Sequence, residues 1–299
     1  MTALSRHTVS RAGVDLAVFE SGNRRGPTLV LVHGWPDTHH MWLPVTELLA
    51  DEFRIVTYDT RGQGESPTSA PDSSFTLPQL AADLFAVIHA VSPDEPVHVL
   101  AHDWGSVQAW EAVCEPGAEE RIASFTSMSG PNLDHVSAWA RRSLRRPTPR
   151  RVADLMAQAV SSSYVPFLVS PLAPPVLRAL AGRGRWRWLL GAMEGRPPRP
   201  EAHATTLGDD MISGLRYYRA NVRLTSRQPR ERRTTVPVLQ LVLTRDVAVR
   251  QAPLTESDRW TEHLERRELP YGHWVALTSP DVVARETRQF VRAVEASLG

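Results

Sequence analysis

Apolar positions along the first 130 residues follow two alternating rhythms. Short β-rich runs occupy residues 14–20, 28–33, 54–59, 97–102 and 122–127. Three of them contain near-continuous apolar stretches (29–32, 55–57 and 97–100), which predicts strands covered on both faces. Between these runs, residues 76–91 carry Leu80, Leu84, Val87, Ile88 and Val91 at helical spacing. Thr76 is the expected N-cap of that helix, with Pro78 in its first turn. A further helix is expected to start just after Asp103 and run to about Glu115. The alternation returns late in the chain: 236–243 reads as a buried strand, 263–269 as a weaker one, and 280–298 as a helix with a charged outer face. Strand–helix alternation on both sides of a different middle section predicts one mostly parallel sheet with helices on both faces.

The middle section breaks the rhythm. It has helical apolar spacing without a clear strand and is rich in Arg and Pro, as in RRSLRRPTPRR at 141–151. Residues 134–233 hold 19 arginines against 7 carboxylates, whereas the rest holds 15 against 26. Charge therefore separates this stretch as sharply as periodicity does. We expect a core formed by residues 1–133 and 234–299, with 134–233 inserted as a helical cap. All 34 basic residues of the 299-residue chain are arginine, which a GC-rich coding sequence explains without any functional role. The basic cap raises anionic lipid surfaces, or acidic lipophilic substrates, as partners, with a solvated basic face as the alternative. Arg185-Trp186-Arg187-Trp188 interleaves charge and aromatic rings, but no nucleic-acid motif accompanies it and no nucleic-acid partner is expected. No apolar run approaches the ~20 residues needed to cross a bilayer. Residues 1–20 carry no signal-peptide core, and Cys114 is the only cysteine, so a cytoplasmic location is expected.

The most informative segment is residues 97–106, VHVLAHDWGS. An apolar strand ends at Asp103, with Ala101 two residues before it and Gly105 and Ser106 two and three after. A helical stretch follows. This small-x-nucleophile-x-small-small pattern marks a tight strand-to-helix turn that lifts one side chain above a sheet, in a position usually held by serine. The helix N-terminus favours negative charge there. The alternative, Asp103 as a plain helix cap, needs neither the small neighbours nor the buried strand. An aspartate nucleophile attacks an electrophilic sp³ carbon and becomes an ester, which water must then cleave at the carboxyl carbon.

Other candidates fall into order around it. His33-Gly34-Trp35-Pro36 follows an early strand, where such enzymes place one oxyanion N–H; the residue after the nucleophile places the second. The backbones of Trp35 and Trp104 are therefore the expected donors, although HGWP alone also reads as a tight turn. His273, in YGHW just before the last helix, is the expected base, ahead of His263 in a strand-like run. Asp246, just after the strand at 236–243, is the expected orienting acid, ahead of Asn132 and Asp134 in SGPNLD.

Together HGWPD, the run DTRGQGES at 59–66, AHDWGS and YGHW resemble the epoxide-hydrolase branch of the α/β-hydrolase superfamily over nearly the whole chain, more weakly in 134–233. Similarity is greatest to actinobacterial members sometimes fused to a C-terminal short-chain dehydrogenase domain, of which these residues carry no counterpart. The resemblance implies an eight-stranded α/β-hydrolase fold, a small lipophilic epoxide as substrate and a diol product, with no metal or organic cofactor. It also implies two cap tyrosines that hydrogen-bond the epoxide oxygen. The run LRYYRAN matches Tyr218 to one of them, and Tyr164 lies where the other occurs. A tyrosine hydroxyl suits this task because it stays protonated at neutral pH. For each ring, packing of an amphipathic helix on the core is the alternative. Haloalkane dehalogenation is the nearest rival reaction, although such enzymes usually carry Asn where Trp35 stands. A non-catalytic ligand-binding homologue is the rival of another class.

Overall fold

The computed structural model describes residues 4–222 and 229–298. Residues 223–228, part of the expected cap, lie outside the described residues. Eight strands form one sheet: β1 (Ser5–Arg11), β2 (Val14–Gly22), β3 (Thr28–Val32), β4 (Arg54–Tyr58), β5 (Val97–His102), β6 (Ile122–Met128), β7 (Val238–Leu243) and β8 (Leu264–Leu269). Their order is β1-β2-β4-β3-β5-β6-β7-β8. The β1–β2 and β2–β4 pairs are antiparallel and all others parallel.

Period-two alternation within the central strands builds two cores. Leu29, Leu31, Leu100, Leu239 and Leu241 face one side of the sheet, and Val30, Val32, Val99, Ala101 and Val238 face the other. The valine side is covered by α2 (Leu77–Val91) and α3 (Trp104–Val113), while α1 (Leu43–Leu49) packs with the long C-terminal helix on the leucine side. Burial on both faces explains why these strands read as apolar runs. By contrast β1 alternates half-buried and exposed along SRHTVSR and has no apolar run to announce it. Thr76 sits at the N-cap of α2 as expected, but its side chain makes no capping bond. The distant Asn221 supplies the acceptor instead, its Oδ1 taking the Leu77 N–H at 3.0 Å.

Between β6 and β7 the chain leaves the sheet and forms α4 (Leu133–Arg145), α5 (Pro149–Ser161), α6 (Tyr164–Val169), α7 (Ala173–Leu180), α8 (Arg183–Glu194), α9 (Leu207–Ser213) and α10 (Leu215–Asn221). Leu168, Leu177, Leu190, Met211 and Leu215 from these helices join the same apolar cluster as the leucine face of the sheet. The short helix α11 (Gln251–Leu254) lies between β7 and β8, and α12 (Val275–Thr278) and α13 (Pro280–Leu298) follow β8.

The stretch Pro149–Val169 is long and apolar enough, by length and composition, to cross a bilayer. It was hidden because Arg150, Arg151, Asp154 and Ser161 to Ser163 interrupt its apolar residues, so no uninterrupted run exists. Only 6% of its most apolar stretch is buried in the protein.

Candidate active site

Every piece of the site lies beyond the C-terminal ends of parallel strands, where an open α/β sheet leaves its crevice. Strand β5 is buried throughout, and the chain turns from it into α3 at a single residue, Asp103, with φ 51° and ψ −126°. That left-handed conformation is rare for a residue with a Cβ and costs roughly 1–3 kcal/mol, so the surroundings must impose it. They do so through backbone crowding. A Cβ on Gly105 would run into the carbonyl oxygens of Val32 and His33, and one on Gly130 would strike the carbonyl of Asp103. A Cβ on Gly34 would meet the Asp103 carboxylate itself.

The carboxylate is gripped by fixed donors. The Trp35 N–H donates to Asp103 Oδ1 at 2.8 Å, and the Trp104 N–H also stabilises the charge. His33 holds the first of these loops from beneath: its Nδ1 bonds the Gly34 carbonyl and its Nε2 accepts the Thr60 N–H. Burial would raise the Asp103 carboxyl, but His273, His102 and the Trp104 N–H reverse the sign and keep it below its usual range. Asp103 is therefore an anion at neutral pH.

His273 stands between two carboxylates. Its Nε2 lies 3.6 Å from Asp103 Oδ2, and its Nδ1 lies 3.0 Å and 3.1 Å from the two oxygens of Asp246. Asp246 is fixed in turn by the N–H groups of Ala248 (2.8 Å) and Val249 (3.1 Å). Burial pushes the imidazole down, yet the two carboxylates outweigh it and hold His273 well above the ordinary histidine value. Burial likewise acts upward on Asp246, and His273 with the two backbone donors overcomes it.

Across a cavity of about 330 Å³ lie Tyr164 and Tyr218, with Trp104, Leu133, Val136 and Val165 among the apolar lining. The Tyr218 ring is edge-on to Trp35 at 5.5 Å and to Trp104 at 5.0 Å. Side-chain hydrogen bonds link Tyr218 to Trp104 and to Tyr164, whose ring centroid is 6.2 Å away. Desolvation first, and the neighbouring Tyr164 and Asp103 second, push the Tyr218 phenol well above its usual value. Tyr164 leaves 39% of its surface exposed, yet desolvation about the hydroxyl and the Asp103 charge raise it too. Both phenols are protonated at neutral pH.

The fold thus brings Asp103, Trp104, Tyr164 and Tyr218 to the lining of one cavity, with His273 and the Trp35 N–H against the Asp103 carboxylate and Asp246 against His273. It keeps the competing candidates away. His263 is exposed beside Glu262, Asn132 caps α4 by accepting the Asp134 and His135 N–H groups, and Asp134 pairs with Arg230.

Four residues that support this arrangement received no role from the sequence, although Asp37, His102 and Asn221 lie within HGWPD, AHDWGS and LRYYRAN. His102 Nε2 donates to the His273 carbonyl at 2.9 Å, tying the histidine loop to the residue before Asp103. Glu194 of α8 accepts the Trp274 N–H at 3.2 Å, securing the same loop from the helical side. Asn221 holds the end of α10, accepting from Leu77 and donating to the Phe75 carbonyl, and so sets where Tyr218 stands. Asp37 is buried near Asp103, with the Trp274 indole on its Oδ2 (3.3 Å); burial first, and Asp103 second, push it up to about 7. In the 59–66 run, Arg61 pairs with Asp83 at 2.7 Å, and its carbonyl accepts the Tyr217 hydroxyl at 2.6 Å. That motif therefore clamps α10 to the core beside the site.

A family model described as alpha/beta hydrolase fold matches residues 27–280. The chain is similar to the "Probable oxidoreductase EphD" of Mycobacterium tuberculosis, 41% identical over 294 residues, covering 96% of this chain and 49% of that protein. It is also similar to "Epoxide hydrolase A" of the same organism, 31% identical over 134 residues, 44% of this chain and 41% of that one. It thus spans about half the length of the first curated relatives it matches. Among solved structures, an epoxide hydrolase from Bacillus megaterium in complex with an inhibitor superposes with a TM-score of 0.76 at 19% identity, over 96% of this chain and 100% of that one. At that identity the likeness concerns the fold.

Proposed function

The chain belongs to the α/β-hydrolase fold family, and from that premise we propose that it is an epoxide hydrolase that makes vicinal diols through a covalent ester of Asp103. The observation that carries the reading is the opposition across one cavity of an anionic carboxylate and two protonated phenols. The curated relatives named epoxide hydrolase support it. We read the helices between β6 and β7 as a cap that delivers Tyr164 and Tyr218 to the core.

In the first step the Asp103 carboxylate attacks a ring carbon from the side opposite the epoxide oxygen. A C–O ester bond forms, the ring C–O bond breaks, and the alkoxide takes a proton from the tyrosine pair. Donors waiting where charge develops are the largest single source of rate in such reactions. In the second step water attacks the carboxyl carbon. His273 accepts its proton, the Trp35 and Trp104 N–H groups hold the oxyanion, and collapse releases the diol and restores the carboxylate. The proton taken from water restores His273 to its charged form, and the one left on the attacking oxygen passes to the departing alkoxide.

Protonation of His273 times the two steps. Before ring opening, two carboxylates hold the imidazole charged. Esterification neutralises Asp103 and removes one of them, so the imidazolium gives up its proton, which restores the phenol that opened the ring, and the neutral ring can then accept one from water.

Halide abstraction, the rival expected of an aspartate nucleophile, is disfavoured by the indoles. Trp35 Nε1 is already donated to the Met211 carbonyl at 3.0 Å, and Trp104 is engaged by Tyr218. The test is a panel of styrene-type, terminal aliphatic and fatty-acyl epoxides run beside simple haloalkanes, with Asp103→Asn as control. Diol formation that disappears in the control is expected. Halide release without diol supports the rival, and tight binding without any product supports a ligand-binding homologue.

A further inference from the structure

Helix α5 inverts the usual arrangement of a surface helix, whose apolar stripe ordinarily faces the core. Its outward residues from 152 to 160 are Val152, Ala153, Met156, Ala157, Ala159 and Val160, all exposed and all apolar. Val152, Met156 and Val160 recur every fourth residue and are 46%, 61% and 66% exposed. Polar residues point inward: Gln158 donates to the Ala248 carbonyl and accepts the Arg250 N–H, and Ser161 is buried and accepts from Arg250 Nε. The apolar surface continues into Phe167 of α6 and then Leu172.

Charge frames this stripe. Between His135 and Met193 the chain has ten arginines and a single carboxylate, Asp154. Arg145, Arg146, Arg150 and Arg151 gather at the start of α5, and among the described residues none of them pairs with a carboxylate. An exposed apolar stripe with a basic margin is the chemistry of a helix that lies in a membrane interface. The bonds to Ala248 and Arg250 hold α5 on the protein, so it can lie against a bilayer but not thread through one. A second copy of this chain docked by the same face brings only one carboxylate, Asp154, to these arginines, and so lacks the negative charge that an anionic bilayer supplies.

We propose that the α5–α6 face docks on an anionic bilayer, with Val152, Met156, Val160 and Phe167 in the headgroup–acyl boundary and Arg145, Arg146, Arg150 and Arg151 on lipid phosphates. The opposite side of the same helices, through Gln158, Ser162, Tyr164 and Val165, lines the cavity. Docking therefore sets the cavity wall beside the acyl region, where lipophilic molecules dissolve. Membrane binding goes beyond the catalytic reading and stands without it.

The test is co-sedimentation of the full chain with vesicles of phosphatidylcholine alone or with about one-third phosphatidylglycerol, at low and high salt. Binding is expected only to the anionic vesicles, weakening as salt rises. Arg150→Ala with Arg151→Ala should weaken it about 30-fold, roughly fivefold per arginine at an anionic surface. Val152→Ser, Met156→Ser and Val160→Ser together should abolish it while far-ultraviolet circular dichroism and light scattering show an unchanged fold and monomer. Equal binding to both vesicles, no binding, or binding indifferent to both sets of substitutions overturns the proposal. So does a dimer that the apolar triple variant dissociates, which assigns the face to self-association. No turnover is read, so a failure of the epoxide assignment leaves this outcome distinct.

Discussion

On the proposed reading, replacing Tyr218 with Phe isolates the step in which an epoxide ring opens. The ring keeps its place, because its edge-on packing against Trp35 (5.5 Å) and Trp104 (5.0 Å) is between rings and does not depend on the hydroxyl. What is lost is the hydroxyl, together with its bonds to Trp104 and Tyr164. Each such bond contributes about 1 kcal/mol net, so the variant should lose no more than about 2 kcal/mol of stability and still fold. Losing one of two donors to the developing alkoxide should slow ring opening about 10²–10³-fold, the scale for a single oxyanion donor. Tyr164 remains and accounts for the residual rate. Three indoles, Trp35, Trp104 and Trp274, lie close to Asp103 or His273, which suits stopped-flow tryptophan fluorescence. The alkylation phase should collapse while the ester-hydrolysis phase, which the phenols do not touch, changes less than about threefold. A variant with an intact alkylation phase, or with its defect confined to ester hydrolysis, refutes the assignment of Tyr218 as proton donor.

Two further outcomes follow from the buried carboxyls. Asp246→Asn should leave ring opening within about tenfold but slow ester hydrolysis by roughly 10²–10⁴, the range seen when an orienting carboxylate is neutralised. Intact-mass analysis should then show the alkylated enzyme accumulating, and rapid turnover without accumulation contradicts the role. Asp37, raised to about 7 from 3.8, binds its proton more tightly folded than unfolded. Its contribution to stability is full below about pH 4 and is lost as pH rises through 7, at most roughly 4 kcal/mol in all. Urea unfolding at mildly acidic and mildly alkaline pH should therefore show a smaller alkaline loss in Asp37→Asn; Asp210, also raised to about 7, keeps part of that loss in place. Identical pH slopes for the variant and the parent chain rule the account out.

How much of this was visible in the chain follows from how local each cause is. The turn at Asp103 could be read because its requirements are adjacent: a buried strand, small residues at fixed offsets, and a helix. His273 and Asp246 could be read because each follows a strand that ends at the same sheet edge. Strand β1 could not, since an edge strand pairs through its backbone and its alternating side chains need not be apolar. His102, Asn221 and Glu194 act on partners 171, 144 and 80 residues away, and no local pattern records such a bond. The apolar surface of α5 escaped for a related reason. Its arginines and serines interrupt the linear run, and only the helix sorts them onto a different side from Val152, Met156 and Val160.

The central claim is that carbon bonds to Asp103 before water enters the product. A single turnover in heavy-oxygen water, with enzyme in excess over a reactive epoxide, tests it most directly. The account predicts that the solvent oxygen appears in the peptide bearing Asp103, and that the first diol released carries an oxygen from that carboxylate. Label found directly in the first diol, with an unlabelled Asp103 peptide, would mean that water opens the ring itself and that the aspartate is no nucleophile.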